Sequence, residues 1–180
     1  MIKEYIASFM ALNLAKIENE LKRTVDKLDA ARKFNTVMVI GNGGSASIAS
    51  HTVIDLIKVA GMRATALNDP ATLTCLSNDY GYEESYAGQI KNQARPYDIL
   101  IAISSSGASK NILRAVEVAK ANRITVITFS GFSDSNPLRK MGNINIYVPS
   151  NDYGHVEMAH HIFLHAITDA LAKGKGKHHE

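Results

Sequence analysis

The sequence predicts an α/β fold in which helices cover both faces of a five-stranded parallel sheet, giving a three-layer α/β/α sandwich. Three observations support this prediction. Five short apolar runs alternate with segments of helical periodicity, and parallel strands need such crossover connections. The runs are almost continuously apolar, which is typical of strands that are buried on both faces. Two runs end in glycine- or serine-rich loops, and open parallel sheets bind ligands beyond the carboxyl ends of their strands.

The N-terminal segment, residues 1–34, is predicted to be helical and lies outside the alternating pattern. Residues 3–33 contain neither glycine nor proline, and apolar side chains recur near helical spacing from Ile6 to Leu28. The segment forms one helix or two. Because it is not needed to connect strands, its apolar stripe must pack elsewhere, either on the helical layer of the same chain or on a second subunit.

The alternating pattern occupies the rest of the chain. Its predicted strands are residues 36–41, 63–67, 98–103, 124–129 and 143–148. Its predicted helices are residues 45–60, 70–77, 83–94, 107–121 and 154–172. Residues 1–173 are therefore expected to form one domain, which is long enough to bury a substantial core. The tail at 174–180, rich in glycine and lysine, is expected to be disordered.

Composition argues against several classes of protein. Apolar residues make up 46% of the 180 residues, and no apolar run approaches the ~20 residues of a membrane span. The net charge of +3 is partly carried by the tail, so it gives little support for a nucleic-acid surface. The lone Cys75 cannot form an internal disulfide, and the first residues lack the pattern of a secretory signal. We therefore expect a cytoplasmic protein that binds neither nucleic acid nor a membrane.

The first loop of interest is the glycine turn, residues 41–45 (GNGGS), which lies between a predicted strand and a predicted helix. Its glycines allow backbone N–H groups to approach a ligand closely, and the helix N-terminus adds partial positive charge. A phosphate or carboxylate is the expected ligand of this loop. The alternative is a purely structural turn. The dinucleotide-binding pattern needs an acidic residue at the end of the next strand, but that strand ends at Leu67, so NAD binding is disfavoured. The nucleoside-triphosphate loop needs a lysine after the glycines, and none is present, so nucleotide hydrolysis is disfavoured as well.

The second loop is the serine loop, residues 104–109 (SSSGAS), which follows another predicted strand and opens a helix. Its hydroxyls and backbone N–H groups can surround a phosphate without a fixed positive charge. The alternative is an ordinary helix cap, but one serine would suffice for that role. Because both loops follow the carboxyl ends of strands, together they predict one phosphorylated ligand.

Histidines and carboxylates recur on two of the predicted helices. His51 and Asp55 stand four residues apart and therefore project from one helix face. On the last helix, Glu157, His161 and His165 form a stripe at four-residue spacing, and His160 cannot face the same site as His161. Such groups can bind zinc or exchange protons with a sugar carbonyl, whereas the alternative for the first pair is a solvent-exposed contact.

These motifs, taken in order, resemble those of the sugar isomerase (SIS) domain family. The resemblance rests on GNGGS at 41–45, His51, SNDYGYE at 77–83, ISSSGAS at 103–109 and the carboxylate/histidine helix, and it extends to about Leu171. Within the family the chain is similar to the single-domain phosphoheptose isomerases, which convert sedoheptulose 7-phosphate to a heptose 7-phosphate. The resemblance implies a set of substrate-binding residues: Asn42, Gly43, Gly44, Ser45, Asp79, Ser104, Ser105, Ser106 and Ser109.

The resemblance also implies a zinc-dependent catalytic site. The family pattern is a histidine with a glutamate four residues on, then a glutamine with a histidine eight residues later. Those positions are His51, Asp55, Glu157 and His165, which are the implied ligands of one zinc ion per subunit. Asp55 and His165 are the implied acid/base pair. The chain departs from the pattern in having the shorter Asp55 for glutamate and the charged Glu157 for glutamine. A homotetramer with active sites at subunit interfaces is also implied.

Two other functions within the same family are kept as alternatives. One is a non-catalytic protein that binds a phosphosugar or a partner, such as a replication-initiation regulator, in which the last-helix histidine is replaced. His165 is present and favours an enzyme. The other is an isomerase that acts on a pentose or hexose phosphate.

Overall fold

The structure, a computed structural model, describes residues 1–174 and contains the predicted five-stranded sheet. Its strands are β1 (Thr36–Ile40), β2 (Arg63–Ala66), β3 (Ile99–Ser104), β4 (Thr125–Ser130) and β5 (Ile144–Tyr147). They lie in the order β2-β1-β3-β4-β5, and all neighbours are parallel. The chain runs outward from β1 to β2 on one side and from β3 to β4 on the other. The loops after β1 and β3 therefore flank the point at which ligands bind in such sheets.

Seven α-helices accompany the sheet in the described residues. They are α1 (Ile2–Met10), α2 (Glu18–Ala31), α3 (Gly44–Lys58), α4 (Pro70–Tyr80), α5 (Ala87–Gln93), α6 (Lys110–Ala121) and α7 (Tyr153–Gly174). Short 3-10 turns occupy Leu14–Ile17, Tyr82–Glu84 and Leu138–Lys140.

Alternate residues along the strands pack into two separate cores, as the period-two geometry of a strand requires. Val37 and Val39 of β1 belong to the core that includes buried residues of α2, α3 and α7. Met38 and Ile40 belong to the core that includes those of α5 and α6. Helices thus cover both faces of the sheet, and the predicted α/β/α sandwich is confirmed.

The N-terminal segment forms two helices, one of the two outcomes that the sequence allowed. The break falls at Asn13, whose φ of −79° and ψ of 75° are not helical. Leu28 of α2 is fully buried in the core, so this half of the apolar stripe packs within the chain. In contrast, Ile6 and Met10 of α1 are more than half exposed.

Side chains at the start of the last helix hold α1 in place. The Tyr5 hydroxyl donates to Asp152 Oδ1 at 3.1 Å, and Ser8 Oγ lies 3.3 Å from His155 Nε2. The Tyr5 ring also packs on the His155 ring at a centroid distance of 4.4 Å. Polar and aromatic contacts therefore attach α1, a helix that buries no residue of its own.

Three helix predictions differ from the structure by three residues or more, and in the first of them α4 continues to Tyr80 instead of ending at 77. α6 begins at Lys110 instead of 107, because Gly107 adopts a left-handed φ of 62° and Ser109 is extended at the N-cap. The single helix predicted at 83–94 is divided into a 3-10 turn and α5. The chain turns inward between them and buries Tyr86, whose hydroxyl donates to the Gly41 carbonyl at 2.5 Å.

The last helix continues through Gly174, the first residue of the tail that was predicted to be disordered. The rest of that prediction, residues 175–180, lies outside the described residues, and the 1–173 domain limit stays a prediction. Among residues 1–174, no helix is both long enough and apolar enough to cross a bilayer.

Candidate functional site

The glycine turn and the serine loop meet in a cleft of about 250 Å³. They are brought together because they follow β1 and β3, which are neighbours in the sheet with Ile40 paired to Ala102. Both loops lead into helices, α3 and α6, whose N-termini supply partial positive charge. The cleft is lined by Asn42, Gly43, Gly44, Ile103, Ser104, Ser105, Ser106, Ser109, Tyr153 and Glu157.

The glycine turn has one position whose backbone conformation favours glycine and a second that lies close to a carboxylate. Gly43 has a φ of 54°, a conformation that side chains with a Cβ rarely adopt. Gly44 opens α3, and a Cβ placed on it would lie 2.5 Å from Glu157 Oε2. Ser45 is 3% exposed and does not line the cleft, although its N–H donates to the Asn42 carbonyl at 3.0 Å. The turn therefore brings the start of α3 against a carboxylate of α7.

The serine loop presents hydroxyls that its own contacts do not fully use. Ser104 Oγ and Ser109 Oγ form a hydrogen bond of 3.1 Å, and Ser106 Oγ accepts the Ala108 N–H at 3.3 Å. Ser105 Oγ is buried and has no hydrogen-bond partner among the described residues. A buried hydroxyl without a partner is destabilising, so Ser105 has hydrogen-bonding capacity that a ligand can satisfy.

Asn42 is held by residues that the sequence did not single out. Its side-chain amide and that of Asn111 donate to each other at 2.9 Å in both directions, and the Tyr82 hydroxyl also donates to Asn42 Oδ1 at 3.1 Å. Asn111 is 2% exposed on α6 and also accepts the N–H of Ile112. This pairing joins the glycine turn to α6, and no sequence pattern indicated it.

Beside the cleft, α3 and α7 bring together His51, Asp55, His161 and His165, which we call the histidine cluster. Asp55 Oδ2 lies 3.3 Å from His51 Nε2 and 3.2 Å from His165 Nδ1. The His51 ring contacts the His161 and His165 rings edge-on at centroid distances of 4.8 and 4.9 Å. One carboxylate therefore bridges two imidazoles that come from different helices.

His161 is the member of the cluster that was absent from the implied catalytic set. One donor atom each from His51, His161 and His165 lies within 4.8 Å of the others, whereas Asp55 contacts two of these rings. Burial lowers the pKa of His161, and neighbouring His165 and His51 lower it further, against an opposing effect of Asp55. The ring is thus favoured in the neutral form, which is the form that binds metals.

Three other residues that the sequence singled out lie outside the histidine cluster. Glu157 faces Gly44 in the cleft and is not part of the group of metal-binding donors. Asp79 does not line the cleft; it accepts the Asn78 side-chain amide at 3.0 Å at the end of α4. His160 is fully buried, lies 3.2 Å from the Ser130 carbonyl, and burial lowers its pKa to about 4. His160 is therefore the packing residue of the adjacent histidine pair.

Comparison with known proteins identifies the class to which this fold and site belong. Residues 3–131 match the SIS domain model. A phosphoheptose isomerase from Helicobacter pylori (strain ATCC 700392 / 26695) is 33% identical over 180 residues, covering 95% of this chain and 93% of that protein. The chain belongs to the SIS domain family.

Within that family, the chain is similar in structure to phosphoheptose isomerases over nearly its whole length. One from Francisella tularensis matches with a TM-score of 0.89 at 29% identity, covering 96% of each chain. One from Neisseria gonorrhoeae matches with a TM-score of 0.88 at 25% identity, covering 94% of this chain and 97% of that one. The predicted family and fold class are confirmed, while the roles of individual site residues stay predictions.

Proposed function

We propose that the chain interconverts sedoheptulose 7-phosphate and a heptose 7-phosphate. Its class, an aldose–ketose isomerase, follows from its likeness to phosphoheptose isomerases over 95% of its length. The observation that carries the proposal is that one helix, α7, contributes to both parts of the site. Glu157 lines the cleft, and His161, one helical turn later, belongs to the histidine cluster. A sugar phosphate bound there can place its anionic end in the serine loop and its carbonyl end near the histidine cluster.

The phosphate end is assigned to the serine loop. Its hydroxyls, its backbone N–H groups and the start of α6 offer hydrogen bonds and partial positive charge to an anion. Glu157 also helps to fix the orientation, because its carboxylate would repel a phosphate placed beside Gly44. Binding energy from the remote phosphate then positions the reacting carbons.

The reacting end requires one base and one acid. A base removes a proton from C1 of the ketose, the electron pair forms a C1–C2 double bond, and the C2 oxygen takes up a proton to give an enediol. Loss of the C1 hydroxyl proton and return of a proton to C2 give the aldose. Asp55 and His165 share these proton transfers in our proposal, supported by the 3.2 Å contact between them.

We propose zinc as the cofactor, one ion per subunit, bound at the histidine cluster. The donor chemistry fits: imidazole nitrogens and a carboxylate are ordinary zinc ligands, and the structure groups His51, Asp55 and His165 from the implied set. When bound, zinc would polarise the carbonyl and stabilise the negative charge of the enediolate. Asp55 additionally orients both imidazoles through its contacts.

An isomerase assay tests the activity and the metal requirement together. Sedoheptulose 7-phosphate and shorter phosphosugars are supplied to the wild-type chain and to His165→Ala, each with and without a chelator. We expect turnover on the seven-carbon substrate, with a loss of at least about 100-fold in His165→Ala and after chelation. Activity untouched by chelation would reject zinc, and failure on every substrate would favour a non-catalytic binding protein.

The homotetramer stays part of the proposal. Exposed apolar side chains stand on the two helices that carry the histidine cluster: Ile54 and Ile57 on α3, and Met158 and Ile162 on α7. Exposed apolar side chains on two packed helices offer apolar area that a second subunit can bury. We expect the same surface to bring a second subunit close to the site. A cytoplasmic location, expected from the lone Cys75, is likewise proposed.

A further inference from the structure

We infer that His161 is a direct metal ligand, and that the metal site of this chain consists of His51, His161 and His165 with Asp55 beside them. Glu157, which stands at a ligand position of the family pattern, is then free to contact the sugar. The inference rests on the zinc centre of the proposed function, but it concerns which side chains hold the ion.

The first argument is the position of the donor atoms. One nitrogen from each of the three imidazoles lies within 4.8 Å of the other two. Tetrahedral zinc with Zn–N bonds of ~2.0–2.1 Å separates its donors by roughly 3.4 Å, so modest side-chain rotation brings the three nitrogens to bonding distance. The His161 and His165 rings are already stacked at 4.7 Å with 26° between their planes.

The second argument concerns one ring nitrogen of His161. Its Nε2 is buried without a hydrogen-bond partner among residues 1–174. The adjacent His160 differs, because its Nε2 lies 3.2 Å from the Ser130 carbonyl and its ring packs on Phe129 in the core. His161 instead contacts two other imidazoles, so a shared cation is the partner that fits all three rings.

The third argument comes from spacing along α7. A helix rises about 1.5 Å per residue, so Glu157 and His165 are about 12 Å apart along the axis, whereas His161 and His165 are about 6 Å apart. Histidines four residues apart on one helix face form a common zinc-binding pair. The Glu157 carboxylate points to Gly44 and the loops, which is the direction of the bound sugar in our proposal.

Zinc affinity tests the inference without any measurement of turnover. The metal-free wild-type chain, His161→Gln and Glu157→Gln are titrated with zinc in competition with a chromophoric chelator. Loss of a residue that only hydrogen-bonds to a metal ligand lowers metal affinity roughly 10–100-fold, and loss of a direct ligand should lower it more. We therefore expect zinc affinity to fall at least about 100-fold in His161→Gln and to stay within about threefold of wild type in Glu157→Gln. His155→Gln, a histidine on the same helix that contacts α1, is the matched control and should leave zinc affinity unchanged.

Unchanged affinity in His161→Gln, or a loss in Glu157→Gln as large as that in His161→Gln, would overturn the inference. So would the absence of zinc binding by the wild-type chain. A measurement that needs no variant is histidine-ring ¹⁵N NMR of the wild-type chain during zinc addition. A change in the ¹⁵N chemical shifts of the His161 ring on zinc addition supports ligation, and unchanged shifts contradict it. This result does not depend on the outcome of the isomerase assay.

Discussion

Ser105 is the residue whose structural environment argues most directly for a bound anion. A hydroxyl that served only to cap α6 would be paired with that helix, yet Ser105 Oγ is buried and has no partner among the described residues. The alternative function of the serine loop, an ordinary helix start, does not explain this side chain.

Ser105→Ala therefore separates a ligand-binding role from a structural one. A hydrogen bond to a charged group contributes about 1.5–3 kcal/mol, so we expect binding of a phosphorylated sugar to weaken roughly 10- to 100-fold. The free energy of unfolding should stay the same or rise, because an unpaired buried polar group is removed. Calorimetric titration and thermal unfolding measure the two effects.

Ser135→Ala, in an exposed loop outside the cleft, is the control and should change neither quantity. Equal weakening for a phosphorylated sugar and its unphosphorylated analogue would show that Ser105 does not contact the phosphate.

For His161, the sequence predicted the helix face that it occupies but not the side chains that it contacts. The four-residue stripe on the last helix already contained it, together with Glu157 and His165. The resemblance then carried over only the pair spaced eight residues apart. The structure groups His161 with His51 and His165 and turns Glu157 toward Gly44. Periodicity identifies the shared helix face, but the direction of each side chain depends on the opposing helix, α3, whose position the sequence does not state.

At the scale of single elements, the glycine turn is positioned by α6 as well as by its own helix. The reciprocal amide pair between Asn42 and Asn111 spans 69 residues of sequence and is partly buried. Asn111 does not line the cleft. We therefore assign Asn111 as a positioning residue that acts through Asn42.

Asn111→Ala should raise KM for the phosphosugar about 10-fold with a smaller effect on kcat, because Asn42 loses the partner that orients its amide. The free energy of unfolding should fall by about 1–3 kcal/mol, since buried hydrogen bonds are lost. Steady-state kinetics and chemical denaturation check these values. Tyr82→Phe removes only the exposed hydrogen bond to Asn42, so it is the milder comparison; a larger effect of Tyr82→Phe than of Asn111→Ala would contradict the assignment.

Strands were predicted more accurately than helix boundaries, for a physical reason. Each predicted strand matches an observed strand within two residues at either end, because burial on both faces requires nearly continuous apolar sequence. The start of α6 was predicted three residues early, since glycine and serine are compatible with either a loop or a capped helix start. The break before α5 depends on the burial of Tyr86 against the Gly41 carbonyl, a tertiary contact without a local signal.

At the scale of the whole molecule, α3 and α7 expose apolar side chains next to the polar site. A second subunit seated on this surface would exclude water from the histidine cluster, which strengthens its electrostatic interactions. His51 and His165 are both close to half exposed, so the cluster stands open to solvent within the single chain.

Ile162→Asp should dissociate the proposed tetramer, because burying a new carboxylate in an apolar interface is costly. We expect sedimentation velocity to report smaller species and turnover per subunit to fall at least about 10-fold. Phe34→Asp changes an exposed apolar residue that belongs to neither of these helices and should leave the assembly intact. A monomeric wild-type chain, or an Ile162→Asp variant that stays tetrameric, would refute the proposed interface.

The contact between Gly44 and Glu157 has a consequence for the choice of substrate. Because Glu157 of α7 faces Gly44 at the start of α3, and buried residues of both helices share one core, the cleft and the histidine cluster are held at a constant separation. A sugar with too few carbons between its phosphate and its carbonyl could occupy either end but could not reach both. The number of carbons between phosphate and carbonyl would then limit which sugars react.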